Sequence, residues 1–458
     1  MAGIAGLLVT REGHDSDFLL QKMSEAIKHR KLESFHTAKY NDLDCMIVGP
    51  RSLQGPDDEV FIIDMNQDLD FSAETEDITS ISETSGIATV IVDNNGVSLL
   101  RTLDGTRSLY FGSKDDIFAF ASERKSLWSI DITSVHAVEP GQGVRFTWNG
   151  KLTVESFATL EKPTRSNATK KETLRTLKRE LLGSIQRLRE GSKCAVLFSG
   201  GVDSSLVAVL AARQCEKTLL VTTRAEGTHD DSAATTAAAQ LGLPLLTVDM
   251  NSQVIWEILP EVIHSIETYR QMDVEIALPF YLASERAAEE GCTTVISGQG
   301  PDELFAGYAK HVRTYLEKGA EALATQLWRE VSITHDANIE RDDRAIAANG
   351  VDSFFPYLDQ KFVTAALSVP VEWKVNPKGT PQRKIVFREL AQLMGVPQVI
   401  AEAPKYATQY SSGSSKAILE SIVEHVKGLK EMSKKTASQK VQEILYEIAQ
   451  ESGVPHSE

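Results

Sequence analysis

Two hydrophobic rhythms divide the chain. From Gly3 to about Phe157 short β-rich runs alternate with turn signals: Ile87 to Val92 ends at Asp93-Asn94-Asn95-Gly96, Val97 to Arg101 follows, and Ser108 to Phe111 comes next. This predicts a β-dominated domain with one amphipathic helix near Asp17 to His29. Glu161 to Lys171 carries Pro163 in a polar mixture of Thr, Ser, Asn and Lys, which sets a boundary between domains at 1–160 and 161–458. Past a helical run starting near Glu172 the rhythm changes. Apolar strands at Lys193 to Phe198, Thr218 to Thr223, Leu245 to Asp249 and Thr293 to Ser297 alternate with helices at Ser204 to Arg213, Asp231 to Leu241 and Tyr281 to Glu290. Strands separated by helices imply a parallel, doubly wound sheet. From about Glu303 onward the pattern is almost wholly helical, broken at Gly350 to Pro356, Pro370 to Pro381 and Pro404 to Gly413.

Charge narrows the partners. Lys and Arg total 48 against 64 for Asp and Glu, a formal charge of -16, so a broad polyanion-binding face is not expected and nucleic acid is excluded as a partner. The basic stretch from Lys170-Lys171 to Lys178-Arg179 sits among acidic residues and predicts a solvated helix face. Cys45, Cys194, Cys215 and Cys292 show no C-x-x-C spacing, so neither a zinc site nor a disulfide framework follows. No apolar stretch reaches the roughly 18 residues that span a bilayer, and the N-terminus lacks the order of a signal peptide. The expectation is a cytoplasmic enzyme without a membrane partner, and a homodimer is compatible with it.

The first chemical signal follows the strand ending at Phe198. Ser199-Gly200-Gly201-Val202-Asp203-Ser204-Ser205 opens a helix. Two glycines let the backbone turn tightly and offer N–H groups to an anion, and the helix N-terminus adds partial positive charge. For five fixed positions, ordinary residue usage gives about one chance match per thousand chains of this length. Pyrophosphate suits such a cradle. The loop resembles that of the N-type ATP pyrophosphatases, which cut ATP between the α and β phosphates; it is not a Walker loop, because the terminal Gly-Lys-Ser/Thr is missing.

A second glycine loop, Ser297-Gly298-Gln299-Gly300-Pro301-Asp302-Glu303-Leu304-Phe305-Ala306-Gly307-Tyr308, follows the strand at Thr293 to Ile296. Ligands of open α/β sheets bind at the carboxyl edge, so Asp302 is expected to face Asp203 and share magnesium with it. The string is similar to the S-G-E-G-x-D-E-x-F-x-G-Y signature of asparagine synthetases and of the related β-lactam synthetases. Ile266 to Tyr269, Phe355-Pro356-Tyr357-Leu358-Asp359 and Pro404 to Tyr410 resemble further stretches of that family. Arg341-Asp342-Asp343-Arg344 resembles a segment of the asparagine synthetase domain-containing proteins.

What the resemblance implies is specific. Ser199, Gly200, Gly201, Asp203, Ser204 and Ser205 would hold the pyrophosphate of ATP, with Asp203 and Asp302 on Mg2+. Val221, Ser297 and Gly298 would contact adenosine, and Lys384 and Lys405 would neutralise charge on the departing phosphates. Gln299 stands where the family has Glu, beside the acyl-adenylate; an amide is no general base.

The first domain resembles a class II glutamine amidotransferase of four-layer αββα, Ntn-hydrolase-like fold. Asp104 to Tyr110, Phe120-Ala121-Ser122-Glu123-Arg124-Lys125 and Glu139-Pro140-Gly141 match its scaffold. Ala2, however, takes the place of the cysteine nucleophile, His29-Arg30-Lys31-Leu32-Glu33 replaces H-R-G-P-D, and the glutamine-binding stretch is not recognisable near Phe61 to Asp70. No glutaminase activity is expected, and Arg51, His29 and Asp64 are not expected to be catalytic.

The favoured expectation is an AMP-forming amide ligase that converts aspartate and ammonia to asparagine. The alternatives are a glutamine-dependent enzyme, were a cysteine at position 2, a β-lactam-type ligase acting on another acid, and a nucleotide-binding regulatory protein. A tRNA-modifying enzyme fits the acidic balance poorly.

Overall fold

The computed structural model describes residues 3–9, 15–30, 32, 34–40, 43–49, 52–54, 60–65, 85–188, 190–225, 232–377, 382–403, 413–429 and 434–455. The chain forms two compact units, Met1–Glu161 and Lys162–Glu458.

The first unit holds two six-stranded antiparallel sheets. One runs Val135–Ala137, Tyr110–Lys114, Ile117–Ala121, Ala5–Val9, Leu43–Gly49, Ser34–Tyr40 in space; the other runs Leu152–Ser156, Gln142–Thr147, Gly96–Arg101, Ile87–Asp93, Val60–Met65, Ser52–Gln54. Leu8, Ile47, Phe118 and Phe120 of the first meet Ile62, Val90, Leu99 and Val144 of the second in one core. On the opposite face of the first sheet, Leu7 and Ala119 pack with Leu20 and Met23 of the helix Ser16–Ala26 and with Leu127 of the short helix Arg124–Trp128. Because both faces of Ala5–Val9 are covered, Leu7 and Leu8 are both buried and the strand reads as an unbroken apolar run. This is the stacked-sheet arrangement expected from the sequence; a helical layer on the outer face of the second sheet is not represented among the described residues.

Asp15 caps the helix Ser16–Ala26, its side chain accepting from Phe18 N at 3.0 Å. The helix stops short of the predicted His29 because residues 27–30 turn inward to bring His29 and Arg30 against Glu123.

The second unit is built on a five-stranded parallel sheet in the order Leu245–Met250, Lys217–Ala225, Lys193–Leu197, Thr294–Ile296, Asp352–Phe354. The chain starts at the centre, builds outward on one side, then crosses to the other. Right-handed crossovers in opposite directions place helices on opposite faces, which is the expected double winding. Helices Val202–Gln214 and Gln271–Glu289 both pack on the two strands Lys193–Leu197 and Lys217–Ala225.

Three features differ from the periodicity. The break at Gly350 to Pro356 contains the fifth strand, whose three residues are too few to show an alternation. The helix Ser252–Ile266 spans a segment that looked unassigned, since its apolar residues are interrupted by Pro260. Within the Pro370 to Pro381 break, Val375–Asn376 pairs antiparallel with Gln382–Arg383, and this small ribbon leads directly into Lys384. Among the described residues no helix is long and apolar enough to cross a membrane.

Candidate active site

The strand order reverses between Lys193–Leu197 and Thr294–Ile296, so the loops leaving their carboxyl ends diverge and open a crevice there. The two glycine loops are those loops.

The first loop is set by its own backbone. Gly200 has φ 76°, and a Cβ on it would stand 2.6 Å from Ala233 O, so both the turn and the packing require glycine. Gly201 is the N-cap of the helix Val202–Gln214 with no side-chain cap bond, which leaves first-turn N–H groups available to a ligand. Ser199 and Ser204 hydroxyls lie 3.3 Å apart, and Ser204 Oγ donates to Gly201 O at 3.2 Å. Ser205 Oγ and Asp203 Oδ1 are buried and find no hydrogen-bond partner among the described residues. Unsatisfied buried polar atoms are costly unless something else completes them.

The second loop brings Asp302 to the same place. Lys384 Nζ lies 2.5 Å from Asp203 Oδ2 and 2.8 Å from Asp302 Oδ1. Lys384 is 2 % exposed. Burial pushes its pKa down, while Asp203 and Glu303 pull it back. Lys384 has φ 57°, a left-handed conformation that costs an L-residue roughly 1–2 kcal/mol and that turns the chain from the ribbon into the helix Ile385–Leu393. Arg383 Nη1, beside it, donates to Gly307 O at 2.8 Å. Tyr357 donates from its hydroxyl to Asp203 O at 2.9 Å, holding the first turn of the phosphate-loop helix against the Phe355 to Asp359 segment. Arg388 does not point at the carboxylates: its guanidinium donates to Arg383 O at 3.0 Å and Ala403 O at 3.0 Å.

The remaining expected residues distribute as follows. Val221 is buried in the neighbouring strand, its carbonyl accepting from Phe198 N at 2.8 Å. Ser297 is buried with its N–H on Phe354 O at 2.9 Å, and Gly298 follows it at the crevice. Gln299 is half-buried and donates from Nε2 to Asp342 Oδ2 at 3.0 Å. Lys405 and Ala2 lie outside the described residues, as does Arg51. Sequence reasoning did not single out Tyr357, Arg383 or Asp342 as site residues; Tyr357 and Asp342 lie in motifs quoted for resemblance, and Arg383 carried no signal.

Two carboxylates, one with a free buried oxygen, converging beside a bare helix N-terminus form a donor set that fits a magnesium ion completed by phosphate oxygens. Among the described residues no cluster of three or more His, Cys, Asp or Glu could hold a metal without such a ligand.

In the first unit the ionisable residues His29, Arg30, Glu123 and Lys125 are tied to one another. Glu123 is wholly buried, with His29 Nε2 at 2.9 Å, Lys125 Nζ at 2.5 Å and Arg30 in direct contact. Burial raises its carboxyl, but His29, Lys125 and Arg30 together hold it well below the usual range. Asp64 is buried, 3.3 Å from Ser122 Oγ and 3.6 Å from Arg107 Nε.

Comparison with known proteins adds three findings. A family model described as asparagine synthase matches residues 176–321 and 312–451. The chain is 33% identical over 369 residues to a protein of Methanocaldococcus jannaschii provisionally named asparagine synthetase (glutamine-hydrolyzing) 1, covering 71% of this chain and 68% of that one. It is 31% identical over 253 residues to the glutamine-hydrolyzing asparagine synthetase of Homo sapiens, covering 52% of this chain and 44% of the human protein.

Proposed function

This chain belongs to the asparagine synthase family, and from that premise we propose that its second unit is an ATP-dependent, AMP-forming ligase making asparagine from aspartate and ammonia. The membership makes the protein an asparagine-synthetase-like carbon–nitrogen ligase. The choice of acid, of nitrogen donor and of residue roles is our reading.

The observation that carries the reading is the bridge from Lys384 to Asp203 and Asp302 at the crevice between the two glycine loops. In the first half-reaction an oxygen of the substrate carboxylate bonds to the α-phosphorus of ATP, and the bond from that phosphorus to the bridging oxygen of pyrophosphate breaks. The first-turn N–H groups after Gly201, with the hydroxyls of Ser199, Ser204 and Ser205, hold the departing pyrophosphate. Lys384, already inside the cluster, offers N–H donors where negative charge accumulates on it, with no reorganisation needed at that moment. Lys405 would add a second cation. Asp203 and Asp302 would hold Mg2+, which supplies charge neutralisation to the phosphates. In the second half-reaction ammonia bonds to the acyl carbon, AMP departs and a proton is released. Val221, Ser297 and Gly298 would line the adenosine end of the crevice.

The first unit, in this reading, is an amidotransferase-like domain without glutaminase activity, because alanine at position 2 has no nucleophile. Gln299 favours a second reading, in which the same adenylation serves a different acid.

The test uses the full chain with Mg-ATP, aspartate and ammonium. AMP, pyrophosphate and asparagine should form in equal amounts, glutamine should not replace ammonium, and Asp203→Ala should abolish all three products. Pyrophosphate release with another acid but not aspartate would move the assignment to the second reading; none with any acid would end both.

A further inference from the structure

Gln299 stands in the loop after the strand Thr294–Ile296, and among the described residues its amide is held from one side. Nε2 donates to Asp342 Oδ2 at 3.0 Å. Asp342 is wholly buried, and its Oδ1 accepts from Arg341 Nε at 2.9 Å and lies 2.8 Å from Nη2 of the same guanidinium. Arg341 Nη1 reaches on to Asp273 Oδ1 at 3.1 Å, and Asp273 Oδ2 meets Arg270 Nε at 3.2 Å. This run of alternating charges dictates the sense of each bond. Burial holds the Asp342 carboxyl above the usual carboxylate range, against the pull of the Arg341 guanidinium and of the bond from Gln299. The contact itself orients the amide: its nitrogen faces Asp342 Oδ2, and its oxygen therefore faces away. Among the described residues none donates to that oxygen.

We infer that Asp342 is a positioning residue that turns the Gln299 amide oxygen toward the crevice as a neutral acceptor for an N–H group of the reacting amine, and that residues 299 and 342 act as an obligate pair. The inference rests on the ligase reading. An amide oxygen orients an N–H group without taking its proton, so the contribution of Gln299 is to the placement of the amine, not to deprotonation. The pairing explains why glutamate is absent at 299. A carboxylate there would lie at hydrogen-bond distance from the buried carboxylate of Asp342, and two such groups cannot both stay ionised. With Asp342 and its arginine in place, only the amide satisfies position 299.

Pyrophosphate release by the full chain with ATP, aspartate and ammonium tests this. Gln299→Leu should raise KM for ammonium by about ten-fold or more while KM for ATP stays within about two-fold, the split expected when one contact to the amine is removed. Gln299→Glu should lower kcat/KM by at least about ten-fold, and adding Asp342→Asn should bring it back to within about three-fold of the unsubstituted protein. The inference is overturned if Gln299→Glu is as active as the parent, if the double variant is no better than Gln299→Glu, or if the two Michaelis constants move together. Should the parent release no pyrophosphate, the ligase reading fails separately, and the pair is then read by thermal unfolding. Gln299→Glu should melt lower and the double variant should recover; equal midpoints would dismiss the pairing.

Discussion

The ammonium of Lys384 lies 2.5 Å from a carboxylate oxygen of Asp203, and at 2.8 Å it also reaches Asp302. One buried cation therefore joins carboxylates carried by two separate loops, and it sits where those loops diverge.

Replacing that cation should cost activity far more than binding. Lys384→Met is expected to slow pyrophosphate release by roughly 10²–10³, the range for loss of one preorganised charge donor. Lys384→Arg should not rescue it, because the side chain passes close to Gly307, where even a Cβ would run into Lys384 Cε and Asp302 Oδ1. Initial rates at saturating ATP distinguish the two variants from the parent.

That tight approach makes Gly307 a sensitive position in its own right. Gly307→Ala would force Asp302 and Lys384 apart, an overpacking cost of roughly 1–3 kcal/mol. Its carbonyl also accepts from Arg383, so the ribbon preceding Lys384 should shift with it. The expected outcome is a lower urea midpoint together with loss of ATP binding by calorimetry.

Lys374 provides a pH prediction. It is buried beside the Phe305 ring, 5.8 Å from its centroid, and burial pushes its pKa down to about 7 from the usual 10.5. The unfolded chain then binds more protons than the folded one between those two values, so stability should rise with pH across that window and level off below about 7. Lys374→Met removes the titration and should flatten this part of the curve, while raising the urea midpoint at neutral pH. Denaturant midpoints measured from pH 6 to pH 9 for both proteins check the sign; a variant curve parallel to the parent's would refute it.

Glu123 predicts a slope of the same sign, but at acid pH, for the first unit. Its depressed carboxyl contributes stability at neutral pH that is lost as pH falls below the ordinary glutamate range. Glu123→Gln leaves Arg30 and Lys125 buried without their counter-charge and should destabilise the unit by about 3–5 kcal/mol. Thermal unfolding should show the loss at pH 7 and a smaller difference from the parent in acid.

Much of the architecture is legible along the chain because it is local. The apolar run Lys193 to Leu197, the glycine pair Gly200-Gly201 and the helix-forming stretch from Val202 are neighbours in sequence, and each obeys backbone sterics that need no distant partner. Strand–turn–helix with an anion-binding turn follows from those residues alone. Short or interrupted elements were less readable: three residues at Asp352–Phe354 carry no period, and Pro260 hides the helix Ser252–Ile266.

What sequence by itself determined, then, is the rhythm of the two units, the parallel α/β class of the second, and the chemistry of its two glycine loops. Only the tertiary structure decided that the strand order reverses between those loops, that Lys384 in a left-handed turn reaches both Asp203 and Asp302, and that Asp342 rather than solvent meets Gln299. The physical reason is distance along the chain. Turn and helix preferences act over a few residues, whereas charge pairing between remote segments exists only once packing has removed the water that would otherwise separate them.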